Sequence, residues 1–526
     1  MLRASLGAST GGIEQLRSEG FEPWLDSKMG AANSPSAREF ISINGLDQVD
    51  SERHYERSDR GDWMIWSQLL TDGNSLRKRF ALALSEYFVV SITPLAVTWP
   101  ASAVGEYWDI LSRNAFGNFR DLLEEITLCP AMGLYLNTRG NRKADPATGR
   151  VPDENYGREI MQLFTIGLFE LNPDGTLKLS GGEPIETYGN DDVTGIAKVF
   201  TGYDFDFADA TYTLDFGGSY PVPDASVSRV PMTADASRWQ YPSSQSFHSE
   251  EEKQFLGLTI PAGTGPVDSL RLALDHLFSH PNVGPFFSKQ MIQKLVTSNP
   301  SPAYVQRVAA IFDDNGQGQR GDLGAVYKAI LLDDEALDPD NATSSTFGKL
   351  REPMLRYIQL ARTFGAGTIS GRWEVTNQVD PATRLGQSPL RSPTVFNFFR
   401  PSYFPPNTQI AGQGLLAPEF QLVNDTTVAS CVNFFERVVP GGQYPMADVT
   451  FDYSAESALA ADPAALLNRL DLLLTGNQLT SATRDTILGA INSVSISSAS
   501  DTANLLRRVY IAVLLILVSP DYLIQK

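Results

Sequence analysis

Residues 152–171 read PDENYGREIMQLFTIGLFEL, and NPDGTLKL at 172–179 and IAKVFTGY at 196–203 follow closely. Tyr156, Ile160, Leu163 and Phe164 fall at the i, i+4, i+7, i+8 spacing that lines one helix face with apolar side chains. Asp153 stands where a helix cap belongs. Asn155, Arg158, Glu159 and Gln162 repeat at the same period on a neighbouring face, setting a carboxylate, a guanidinium and two amides along one ridge. In Asn172-Pro173-Asp174-Gly175 the proline fixes φ and the glycine accepts φ > 0, so LFEL and TLKL fold back on each other. Helix, hairpin over Leu168 to Leu179, and second short helix form one unit, with the first helix expected at the centre of the fold.

Working outward, the same period recurs on both sides. Trp66, Leu69 and Leu70, then Phe80, Leu84 and Phe88, flank a TDGN turn. Val267, Leu270, Leu274, Leu277 and Phe278 make an amphipathic helix that must stop at His280-Pro281, because proline disfavours helix at the residue before it. Leu323, Val326, Tyr327, Ile330 and Leu331 give another. By contrast, Tyr203 to Pro266 is aromatic, Asp/Ser/Pro-rich and aperiodic, and reads as a surface excursion with short strands. Gly365 to Phe420 reads as a second such segment. The fold class is therefore mainly α: a multi-helix globular protein with one small β-hairpin and long irregular inserts. Its expected segments are an N-terminal helical lobe (1–150), the signature unit (151–215), a surface excursion (216–265), a central helical lobe (266–365), a Pro/aromatic-rich irregular segment (366–425) and a C-terminal helical segment (426–526).

A chain of 526 residues exceeds the roughly 250–300 that one core usually organises, so two or more lobes are expected. Its 42 basic and 61 acidic residues leave a net charge of −19, which repels a phosphate backbone and argues against nucleic acid. The longest apolar run, Val509 to Val518, is about half of the roughly 20 residues that cross a bilayer, so it reads as a buried C-terminal helix. MLRASLGAST lacks the basic and apolar regions of a signal peptide, and none is expected in this chain.

The order ENYGRE, LFTIGL, LNPDGTLKL, IAKVFTGY resembles the bacterial domain-of-unknown-function 1800 family. The resemblance continues through HSEEEKQFLG, LDHLFSHPNVGPFFSKQMIQKLV, KLREPMLRYIQLARTFGA, GQSPLRSPTVFNFF and LVSPDYLIQK, nearly the whole chain. It implies an exported protein, periplasmic or extracellular, with a sulfatase-like companion as partner; LGASTGGIEQLRSEGFEPWLDSKM matches the point where the domain begins after an exported leader. Where many relatives carry a His-Asn-His triplet, this chain has Ser85, Glu86 and Tyr87. Gln162, Gly157 and Tyr203 stand where Glu, Ala and Trp are usual.

For chemistry, the best constellation is Glu159 with Arg158, Glu154 one turn earlier and Glu170 at the helix-to-hairpin junction, a carboxylate set of the kind a glycoside-type hydrolase needs. The competing reading makes Arg158-Glu159 a buried ion pair that locks the helix in place. Asn155 and Gln162 on the ridge are candidate binding residues. His248 and Lys253 match a family motif and are expected to contact the signature helix; Tyr203 and Phe205 open YDFDFADATYTLDF, whose aromatics could stack on sugar rings or on a partner protein. Four histidines and two cysteines offer no complete transition-metal ligand set. His276 and His280, at i, i+4, read as packing or capping residues. Asp313, Asn315, Gln317 and Gly318 fit part of an EF-hand loop, but position 12 is Gly324, so the loop reads as a connector with Asp322 capping the next helix; no cofactor is expected, with calcium left open. Cys129 and Cys431 read as buried reduced thiols. Together these readings point to an exported or envelope-associated binding or scaffold protein engaging an extracellular polymer or a protein partner, with a hydrolase acting through Glu159 on an extracellular polysaccharide as the alternative.

Overall fold

The computed structural model describes residues 1–33, 35–71, 73–498 and 500–526. Asp153 accepts the Asn155 N–H at 2.8 Å, and the chain runs helical through Asn155–Glu159. From Ile160 to Thr165 the coil widens into a π-helix. Its bonds show why: the Met161 carbonyl accepts the N–H groups of both Ile166 and Gly167, at 3.0 and 2.9 Å. A π turn holds more residues than an α turn, so the apolar face rotates. Tyr156, Ile160, Met161 and Phe164 are buried, while Leu163 is left partly exposed.

Tyr156 packs edge-on against Phe200 of the second signature helix at 4.8 Å, and its hydroxyl lies 2.7 Å from the Thr127 hydroxyl. Phe164 meets Phe88 at 5.3 Å. Burying aromatic side chains of this size contributes about 1.5–3 kcal/mol each, which anchors the unit at the centre of the fold. Two glycines permit the close approach. A β-carbon on Gly157 would press against Ile196 and Ala197, and one on Gly195, in the helix Asn190–Ala197, would run into the Gln254 carbonyl.

LFEL and TLKL fold back on each other with Leu171 opposite Leu177 and Gly175 at φ 74° in the turn. A third arm extends it: Leu179–Ser180 pairs with Glu183–Pro184, and Phe169 bridges Glu186. The Gly181-Gly182 pair, both at positive φ, makes that second turn and was the sequence signal for it.

The other periodic segments are helices: Asp59–Leu70, Ser75–Ser85, Pro266–Ser279, Leu323–Leu332 and Thr502–Leu517. Asp72 of the TDGN turn lies outside the described residues. His280 ends its helix in an extended conformation, φ −63° and ψ 135°, ahead of Pro281. Val509, Val513, Ile516 and Leu517 bury the C-terminal helix, and among the described residues no helix is long and apolar enough to cross a membrane. All sheets among the described residues are two-stranded and antiparallel, so the protein is mainly α.

The main apolar core gathers side chains from Ala4 to Tyr522. Tyr203 to Pro266 does carry short hairpins, Tyr212–Leu214 with Pro221–Pro223 and Lys253–Phe255 with Leu258–Ile260. Gly365 to Phe420, however, is no surface excursion: Gln387, Ser388 and Glu419 within it are buried. Polar residues placed there must find partners, and those partners define the site.

Candidate functional site

A cleft of about 980 Å3 opens between the hairpin, the helix Val283–Leu295 and the stretch around Phe396–Ser402. Asn282 fixes the hairpin to that helix. Its amide donates to the carbonyls of Ile166 and Phe169 at 2.8 and 2.9 Å, and its oxygen accepts the Leu171 N–H at 2.9 Å. Leu168, Phe169, Leu177 and Leu179 thereby line the cleft as exposed apolar side chains facing Phe286 and Phe399. Large apolar side chains left uncovered in a concavity of this size mark a binding site more often than a packing fault.

Charged groups close the cleft floor. Glu86, at the end of Ser75–Ser85, lies 3.3 Å from Lys294 of the helix Val283–Leu295, and both line the cleft. Behind them Lys349 reaches Glu419 at 2.8 Å and Glu352 at 3.9 Å, and the Gln387 amide donates to Glu352 at 2.7 Å. Lys349 and Arg79 both donate to the Lys294 carbonyl, at 2.8 and 2.6 Å. These side chains are buried; Glu86 and Glu352 hydrogen-bond each other, and one oxygen of Glu419 has no hydrogen-bond partner. Burial pushes the Glu86 carboxyl up to about 8, the neighbouring Glu352 adding to the effect and Lys294 opposing it. Burial likewise raises Glu419 against the pull of Lys349. A low-dielectric interior tolerates five such side chains because the raised Glu86 and Glu419 carboxyls lie against ammonium groups.

The model of the family described as "Protein of unknown function (DUF1800)" matches residues 1–524. The chain belongs to the DUF1800 family. Neither the comparison with curated proteins nor that with solved structures gave a match. In this DUF1800 chain Glu86 and Tyr87 of the Ser85-Glu86-Tyr87 triplet line the cleft: the Tyr87 hydroxyl donates to the Phe164 carbonyl at 3.0 Å, tying the triplet to the widened turn of the signature helix. Lys294, Lys349, Glu352 and Gln387, which carry the floor, come from three further family motifs that lie far apart in sequence. None of them was singled out from sequence. A lysine inside an apolar helix face, as Lys294 is in MIQKLV, was the available signal.

The residues chosen from sequence are placed differently. Arg158 pairs with Glu154 at 3.2 Å, on the half-exposed side of the helix, and among the described residues no ion pair joins it to Glu159. The expected buried Arg158-Glu159 pair is thus corrected: Glu159 turns inward, with one oxygen unpartnered, and burial raises its pKa against a weaker opposing pull from Arg158. Glu170 pairs with Lys178 at 3.3 Å on the hairpin. None of Glu154, Arg158, Glu159 and Glu170 lines the cleft; Gln162 does, its oxygen accepting the Tyr188 hydroxyl at 3.0 Å. Asn155 is partly buried at the helix start.

Tyr203 and Phe205 are buried, the first donating to the Pro266 carbonyl at 3.0 Å and the second lying under Arg139 at 4.3 Å, so neither presents a face to a sugar. His248 is buried, 2.9 Å from the Thr201 carbonyl, and burial lowers it to about 4, which keeps the ring neutral. Lys253 is buried with its ammonium on the Glu251 carbonyl at 3.3 Å. His276 lies 3.0 Å from the Leu256 carbonyl, and His280 accepts the Asn282 N–H at 3.1 Å. Asp313 pairs with Arg320, and Asp322 caps the helix Leu323–Leu332 through the Ala325 N–H at 3.0 Å. Cys129 and Cys431 are buried free thiols.

These placements reverse one expectation. As half of a buried ion pair, Glu159 replaced by Gln would cost roughly 3–5 kcal/mol. As an inward carboxyl with a raised pKa and no paired cation, it is better served by a neutral amide, so Glu159→Gln is expected to melt at or above the parent temperature at pH 7. A scanning-calorimetry midpoint several degrees lower would contradict this.

Proposed function

We propose that this DUF1800 protein is an exported or envelope-associated binding protein that holds an extended ligand, an extracellular polymer chain or a segment of a protein partner such as a sulfatase-like companion, in the cleft beside the signature hairpin. The observation that supports this reading is the apolar hairpin face, Leu168, Phe169, Leu177 and Leu179, left exposed along a cleft of about 980 Å3. A surface of that kind lowers its free energy when a ligand covers it, at roughly 25 cal/mol per Å2 of apolar area removed from water. The reading invokes no cofactor. A glycoside-type hydrolase acting through Glu159 on an extracellular polysaccharide draws support from the raised pKa of that carboxyl, but not from its position off the cleft.

The test is calorimetric titration of the purified chain with oligosaccharides, peptides and acyl amphiphiles, alongside the double variant Leu177→Asp/Leu179→Asp. Both leucines are exposed, so the variant is expected to unfold within about 0.5 kcal/mol of the parent. It should lose at least tenfold in affinity for any ligand that the parent binds. Ligands bound equally well by parent and variant would place the site elsewhere.

A further inference from the structure

The overall charge of the chain is −19, yet the charged side chains lining the cleft are Lys289, Lys294 and Arg400 against Asp174 and Glu86. A concave, low-dielectric wall with a local excess of cations on an acidic protein focuses attraction on an anion. Lys294 lies deepest of the three. Its side chain is 7% exposed and Glu86 is its one side-chain acceptor among the described residues, at 3.3 Å, whereas an ammonium carries three N–H donors. Phe399 stands 5.6 Å from the ammonium. Glu86, nine-tenths or more buried, also hydrogen-bonds Glu352. Polar groups desolvated to this degree without full hydrogen bonding are costly, and a ligand that supplied the missing partners would recover that cost. The apolar part of the lining is the hairpin side chains with Phe286.

We propose that the cleft takes a single-chain amphiphile bearing a carboxylate, its head accepting from Lys294 and its apolar chain lying on Leu168, Phe169, Leu177 and Leu179. This rests on the cleft being the binding site, and names the chemistry of its occupant. The head contributes a charge-assisted contact at one end; the chain contributes buried area along the other. The arrangement also sets a pH dependence. Glu86 faces Lys294, Glu352 and Lys349, and once ionised it competes with the ligand head for Lys294 while repelling it, so affinity for the carboxylate falls as pH rises through about 8.

The experiment compares dodecanoate, dodecanol and dodecyltrimethylammonium, each below its micelle concentration, by calorimetry on the full chain, on Lys294→Met and on Leu177→Asp/Leu179→Asp. For the parent the expected order is dodecanoate tightest, then dodecanol, then the cation, with dodecanoate weakening tenfold or more in Lys294→Met, the loss of one hydrogen bond to a charged group. Dodecanol affinity should stay within about twofold in that variant, since an uncharged head gains little from the ammonium. If the parent binds all three with equal affinity, or binds dodecanol and the cation more tightly, the head-group assignment is wrong while the cleft reading stands, provided that Leu177→Asp/Leu179→Asp loses the binding. If no amphiphile binds but an oligosaccharide or peptide does so in a leucine-dependent way, the amphiphile is again wrong and the cleft reading again survives. If binding of every ligand is indifferent to the leucines, both fall. The ligand series on the parent decides the matter even if Lys294→Met does not fold.

Discussion

Glu86→Gln is expected to stabilise the protein at alkaline pH and to remove a fall in stability that the parent shows between acid and alkali. The folded carboxyl titrates at about 8 against an ordinary value of 4.5, chiefly through burial and then through Glu352. Between those values the folded state keeps a proton that the unfolded chain has released. Stability from this group is therefore fully present below about pH 4.5 and is lost as pH rises through about 8. At about 1.4 kcal/mol per unit, the loss is on the order of 5 kcal/mol. Glutamine has the volume of the protonated acid, donates a hydrogen bond, and offers Lys294 an acceptor without carrying a charge. Urea unfolding of parent and variant at pH 5, 7 and 9 should give curves that separate as pH rises, the variant becoming the more stable. Asp109, which burial holds up to about 6, shapes both profiles, so the difference between them is the readout. Parallel profiles would mean that Glu86 is already ionised in the folded protein at neutral pH.

Lys349→Met is expected to have the opposite sign and a comparable size. Its ammonium lies 2.8 Å from Glu419 and 3.9 Å from Glu352, and all three side chains are at most 2% exposed. Methionine fills the volume but leaves the two carboxyls without their shared cation, and stranding buried charge in this way costs about 3–5 kcal/mol. It also removes a donor from the Lys294 carbonyl, a bond of 2.8 Å. Pairing the change with Glu419→Gln removes one stranded charge, so the double variant should recover a few kcal/mol of the loss in a double-mutant cycle. Denaturant unfolding that shows Lys349→Met within about 1 kcal/mol of the parent would mean that water or protonation satisfies the cluster.

What the sequence determined by itself is what depends on neighbours within a turn or two. The 3.6-residue period of Tyr156, Ile160 and Phe164 names the buried face of the signature helix, because the backbone repeat alone puts those side chains on one side. Asn172-Pro173-Asp174-Gly175 specifies its turn, because φ at proline and glycine is a property of those residues. Pro281 ends its helix for the same kind of reason. The motif order carried the family, and the density of 3.6-residue periods carried the mainly α class.

Tertiary structure decided the rest. The carbonyls of Phe164, Ile166 and Phe169, at and just beyond the widened turn, are taken by the Tyr87 hydroxyl and the Asn282 amide, which arrive from 77 and more than 110 positions away. Arg158 had Glu154 and Glu159 within reach on one helix, and the choice fell to Glu154 because packing turns Glu159 inward. Glu86, Lys294, Lys349, Glu352, Gln387 and Glu419 read one at a time as ordinary polar residues, since charged side chains are seldom buried unless paired. Pairing is a contact between segments up to 208 residues apart for Glu86 and Lys294. No local pattern encodes such a contact, because the desolvation that raises a carboxyl pKa and the cation that offsets it exist only once the core has closed around both.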